Sequence, residues 1–102
     1  MKIMNSVETI SNKQKQKVEP PKFYKVLLLN DDFTPMDFVV AVLEQVFFLS
    51  PAIAETIMLT VHHQGKAVCG IYAKDIAEMK VEKVIAIARA NEHPLKCIME
   101  EE

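Results

Sequence analysis

LLLNDDFTPMDFVVAVL, residues 27–43, passes from an apolar run through Asn30, Asp31 and Asp32 into a segment with helical periodicity. The run that precedes it, KFYKVLLLN from Lys22, is short, aromatic and aliphatic, and apolar on both faces near its end, the pattern of a largely buried strand. Pro35 suits a first helical position, where its missing N–H costs nothing, with Thr34 before it as N-cap and Asp37 three residues on to close a capping box. Phe33 and Phe38 then stand at the two positions of a hydrophobic staple. Apolar residues recur at Phe38, Val39, Val42, Leu43, Val46 and Phe47, one helical face. A strand feeding directly into a helix through a polar hinge sets the fold, and the rest of the chain repeats its grammar.

A second helix opens at Ser50-Pro51 and ends at Gly65, with Ile53, Ile57, Met58 and Val61 as its apolar stripe. KAVCGIY (66–72) reads as a second strand. From Lys74 to Asn91 the positions Ile76, Ala77, Val81, Val84, Ile85 and Ala88 keep a helical period, although Ala73 is a poor cap. PLKCIME (94–100) alternates Leu95, Cys97 and Met99 as a third strand. The expected fold is α+β: a small three-stranded antiparallel sheet packed against three helices in the order β-α-α-β-α-β.

The stretch before it differs in character. Residues 1–22 carry five lysines against two glutamates, a net of +3, whereas the remainder carries seven cations against twelve acids, a net of −5. With no sustained apolar period and a Pro20-Pro21 close, this stretch is expected to be a flexible, disordered arm preceding a core domain at 23–102. Scattered lysines with no aromatic before Phe23 do not make a nucleic-acid surface. No segment is long and apolar enough for a signal peptide or a membrane span, so a soluble, cytoplasmic protein is expected. Cys69 and Cys97 lie in alternating apolar segments without metal-ligand spacing, as reduced core residues would.

Two polar landmarks remain. Asn30, Asp31 and Asp32 could form a turn stabilised by the helix dipole, or present acceptors to a cation such as an ammonium group. His62 and His63, near the end of the second helix, point about 100° apart and cannot face one place. Neither a zinc pattern such as H-E-x-x-H, nor a nucleophile elbow, nor a glycine-rich phosphate loop is present, so no metal, cofactor or catalysis is expected. A binding module is left, with Met36, Val39, Met58 and Leu95 as residues for either a pocket or plain core.

NDDFTPMDFVV, MLTVHHQGKAVCG and NEHPLKC resemble, in order and separation, the three signature segments of the ClpS family, the adaptors that deliver N-end rule substrates to the ClpAP protease. The resemblance runs from about Tyr24 to the C-terminus. It implies binding of another protein's first residue when that residue is Leu, Phe, Tyr or Trp. The α-amino group would be held by Asn30, Asp31 or Asp32, and His62. The side chain would enter a pocket of Thr34, Pro35, Met36, Val39, Met58, Val61 and Leu95, with Met58 as gatekeeper against branching at Cβ. It also implies docking on the N-terminal domain of a ClpA-type AAA+ unfoldase through a face that includes Lys80 and Asp75, while residues 1–22 engage the unfoldase as an arm. Phe33 stands where many relatives have Tyr, and Asp75 where Glu is frequent. A monomer is the default. The competing expectation is a surface-interaction domain of the ribosomal-stalk C-terminal type, which has no amine pocket.

Overall fold

The computed structural model describes residues 19–102, so most of the expected arm lies outside the described residues. Six elements follow in the expected order: β1 (Phe23–Leu29), α1 (Met36–Phe47), α2 (Pro51–Gln64), β2 (Lys66–Ala73), α3 (Lys74–Ala90) and β3 (Lys96–Glu101). The sheet runs β2-β1-β3, with both pairings antiparallel. Its first strand is thus its central one, which explains the unbroken Val26-Leu27-Leu28 run: Val26 and Leu28 face the helices, while Leu27 is shielded on the open face between Val68 and Ile98.

One irregularity sets the phase of β2. Val26 pairs with Gly70 and Leu27 with Val68, so Cys69 is an extra, bulged residue. The bulge turns Cys69 into the core near Cys97. Both are free and buried, and burial pushes both thiols up to about 12, with the Cys97 sulfur adding to the rise at Cys69. They are protonated and inert at neutral pH.

The helices lie on one face of the sheet and share a single core. Val39, Val42, Leu43, Val46 and Phe47 of α1 meet Ala54, Met58 and Val61 of α2 and Ala77, Val84 and Ala88 of α3. Three alanines among these are fully buried, which lets helix backbones approach closely. The stripe of α2 is rotated from expectation: Ala54 is fully buried while Ile53 is 52% exposed, because residues one apart differ by about 100° and Ala54, Met58 and Val61 are the set that faces inward. Ile76 of α3 is likewise more exposed than its period suggested.

Helix ends show which local signals prevailed. Ser50 caps α2 as expected, its Oγ accepting from the Ile53 N–H at 3.3 Å, and Gly65 ends it in the left-handed conformation, φ 92°. The start of α1 departs from expectation. Its N-cap is Pro35, with no side-chain cap; the Thr34 hydroxyl is engaged elsewhere, so no capping box forms, and Phe33 is 79% exposed, so no staple forms. Phe38 packs instead against the His93 ring, centroids 4.4 Å apart. At the other end of α1, Lys80 of α3 donates to the Val46 carbonyl at 2.6 Å and lies over the rings of Phe48 and Tyr72.

The left-handed Gly65 also presents its carbonyl to the Asn30 N–H at 2.9 Å, joining the end of α2 to the loop after β1. Gly65→Ala meets no steric obstacle, only the strain of positive φ. It should lower stability by about 1 kcal/mol in urea denaturation; an unchanged midpoint would contradict the constraint.

Candidate functional site

Six residues, 30–35, connect β1 to α1 by way of Asp31, and this connection is held from within. The Asp31 carboxylate accepts from the Phe33 N–H at 2.8 Å and the Thr34 N–H at 2.7 Å through Oδ1, and from the Thr34 hydroxyl at 2.8 Å through Oδ2. This is why Thr34 does not cap the helix. Burial raises the Asp31 pKa, but the Phe33 N–H, the Thr34 hydroxyl and the Thr34 N–H, with the His93 imidazole adding attraction, outweigh it and leave the carboxyl below its usual range.

Asp32 has the opposite environment. It is exposed and has no hydrogen-bond or ion-pair partner among the described residues. The two adjacent acids therefore do different work: one shapes the loop and the other is left available.

Beside the loop is a partly enclosed cleft of about 370 Å³, a size typical of small-ligand pockets. Asn30, Asp31, Asp32, Thr34, Pro35, Met36 and Val39 line it from the loop and α1, and Met58, Val61 and His62 from α2. The α2 residues converge because positions three and four apart share a helix face. Val39, Met58 and Val61 form a buried apolar floor, at 6%, 8% and 3% exposure, and Met36 continues it toward solvent. At the rim Asn30, Asp32 and His62 are all exposed. His62 and His63 both reach solvent, rings edge to face, and His62 is the one on the cleft.

Not every expected residue is there. Leu95 is buried in the core and does not line the cleft: Arg89 binds the carbonyls of His93 and Leu95, at 2.8 and 2.9 Å, and the segment turns the Leu95 side chain inward. Asp75 and Lys80 lie away from the cleft on α3, Asp75 exposed in the first turn and Lys80 half-buried against α1. Phe33 lines the cleft and was missed, since its place before a helix start suggested a staple. Among the described residues no group of three or more His, Cys, Asp or Glu is placed to hold a metal ion, and no helix is long and apolar enough to cross a membrane.

The family profile of the ATP-dependent Clp protease adaptor protein ClpS matches residues 19–98. The chain belongs to the ClpS family. ClpS of Nitrosospira multiformis is 52% identical over 101 residues, covering 99% of each chain, and ClpS of Leptothrix cholodnii is 57% identical over 91 residues, covering 89% of this chain and 79% of the relative. Among solved structures, Agrobacterium tumefaciens ClpS2 bound to L-phenylalaninamide superposes with a TM-score of 0.80 at 41% identity, covering 81% of this chain and all of the other. Three helices on a three-stranded sheet are thus the architecture of a Clp protease adaptor, and the cleft is the feature of this ClpS-family chain suited to a small organic ligand.

The bonding at Asp31 generates a stability prediction. Asp31→Ala leaves two backbone N–H groups and a hydroxyl without their acceptor and should cost about 1–3 kcal/mol in urea denaturation, whereas Asp32→Ala should stay within about 0.5 kcal/mol of the parent. Because the folded-state pKa of Asp31 is lowered, its contribution is fully present above the unfolded value of 3.8 and is lost as pH falls through the lower folded value. The gap between wild type and Asp31→Ala should therefore narrow below that pH, and a gap that widened on acidification would contradict the assignment.

Proposed function

We propose that the cleft receives the first residue of another protein, when that residue is Leu, Phe, Tyr or Trp, and that the chain hands such proteins to a ClpA-type AAA+ unfoldase as a cytoplasmic adaptor, without catalysing a reaction itself. The observation that carries this reading is the junction of a buried apolar floor with three exposed polar side chains at its rim. A protonated α-amine has three N–H donors, and the Asn30 amide oxygen, the Asp32 carboxylate and a neutral His62 nitrogen offer three acceptors. The Asp32 charge gives such bonds their charge-assisted strength. Asp31 keeps its loop bonds and adds only negative potential.

The floor suits a large apolar side chain, and Met58, fully within it, has the flexible thioether that packs against aromatic rings. A side chain branched at Cβ would place its second carbon against Met58, which excludes Ile and Val. The ligand named for the Agrobacterium relative fits the same description, since L-phenylalaninamide carries a free amine, an aromatic side chain and a neutral carbonyl in place of the next peptide bond. Asp75 and Lys80 would serve the unfoldase contact from α3. Lys80 also has a packing role, so Asp75 is the cleaner position at which to test docking.

Fluorescence anisotropy with a labelled peptide beginning with Phe tests the reading. The free peptide should bind at micromolar or tighter affinity, and its N-acetylated form and an Ile-first form at least tenfold more weakly. Asp32→Ala and His62→Ala should each cost about 1–3 kcal/mol of binding by removing an acceptor. Equal binding of all three peptides would favour a plain surface-interaction domain of the ribosomal-stalk type. Asp75→Ala should weaken capture by the unfoldase N-terminal domain while leaving peptide affinity unchanged.

A further inference from the structure

Phe33 has no part in anchoring the amine or in forming the floor. It lines the cleft beside Asp32 and Met36 but is 79% exposed, the most exposed of the large hydrophobic residues among the described residues. Isolated apolar side chains at a surface need no explanation, but this one is mounted rigidly. Its own N–H is bound by Asp31 at 2.8 Å, the next residue is bound twice by the same carboxylate, and Pro35 fixes the backbone two residues on. Phenylalanine also has little rotamer freedom to lose on making a contact, so a ring on a fixed backbone is a preorganised surface.

A ligand seated as described above has its first side chain on the floor of Val39, Met58 and Val61 and its amine at the polar rim. Its carbonyl and everything after it must leave by the open side. The apolar groups exposed there are Phe33 and, at 45% exposure, Met36. Resting on the amino-terminal-pocket reading, we infer that Phe33 is a specificity-determining residue for the substrate's second position. Its ring is a platform on which the second side chain lies, so the chain favours proteins whose large first residue is followed by an apolar or aromatic one.

The test compares three unlabelled ligands in competition anisotropy: L-phenylalaninamide, Phe-Gly-amide and Phe-Leu-amide. Wild type should bind Phe-Leu-amide roughly tenfold more tightly than Phe-Gly-amide, as expected for partial burial of one leucine side chain against a ring. In Phe33→Ala that preference should fall to within about twofold, with the affinity for L-phenylalaninamide unchanged and the preference restored in Phe33→Tyr. Absence of a preference in wild type, or an equal loss for all three ligands in Phe33→Ala, would overturn the inference while leaving the amine pocket intact. Failure of wild type to bind L-phenylalaninamide at all would overturn the pocket reading and this inference together.

Discussion

A single carboxylate organises the working end of this molecule. Asp31 accepts from two consecutive backbone N–H groups and one hydroxyl within three residues of itself, and thereby closes the loop between the central strand and the first helix. Because that carboxylate satisfies the loop's donors internally, the loop needs nothing from Asn30 or Asp32, whose side chains are left facing solvent at the cleft. Two adjacent acids, which would otherwise repel each other to no purpose, are separated into a structural anion and a free one.

The scaffold beneath makes this arrangement rigid. β1 is paired on both sides, so the residue that leaves it, Asn30, starts from a fixed point and is tied again to the Gly65 carbonyl. Ser50 and Gly65 bound α2 at both ends, and its inward face carries Met58 and Val61 to the floor while His62, one turn beyond Met58, emerges at the rim. A helix terminus and a strand terminus meeting at one place is a common way for a small fold to present polar groups beside an apolar slot. Lys80 performs a similar tying role on the far side, holding α3 to the last turn of α1.

Much of this was legible in the sequence, and the failures have identifiable causes. Element order and type followed from periodicity, and the ends of α2 from Ser50, Pro51 and Gly65, because those signals act within a few residues and have no competitor. The start of α1 misled because Thr34 had two possible partners. The helix N-terminus was visible in the pattern, whereas the Asp31 carboxylate on its other side became a competitor only once the loop had its shape. Ile53 and Leu95 were misplaced for a different reason: an apolar stripe says that a residue is near an interface, but the rotation of the helix and the path of the α3–β3 connection decide what it faces. Phe33 belongs with them, since burial and exposure of an aromatic are indistinguishable in the sequence. The family's signature segments gave the cleft almost entire, because its residues come from two contiguous stretches, 30–39 and 58–62.

The proposed site turns on a division of labour between Asp31 and Asp32 beside an apolar floor. A crystal structure of this chain with L-phenylalaninamide tests it most directly. The expected complex has the amine within hydrogen-bonding reach of Asn30 and His62, with Asp32 beside it directly or through one water, the phenyl ring on Val39, Met58 and Val61, and all three Asp31 bonds retained. A ligand amine bound by Asp31 with the Phe33 and Thr34 bonds broken, or a ring seated outside the cleft, would contradict it.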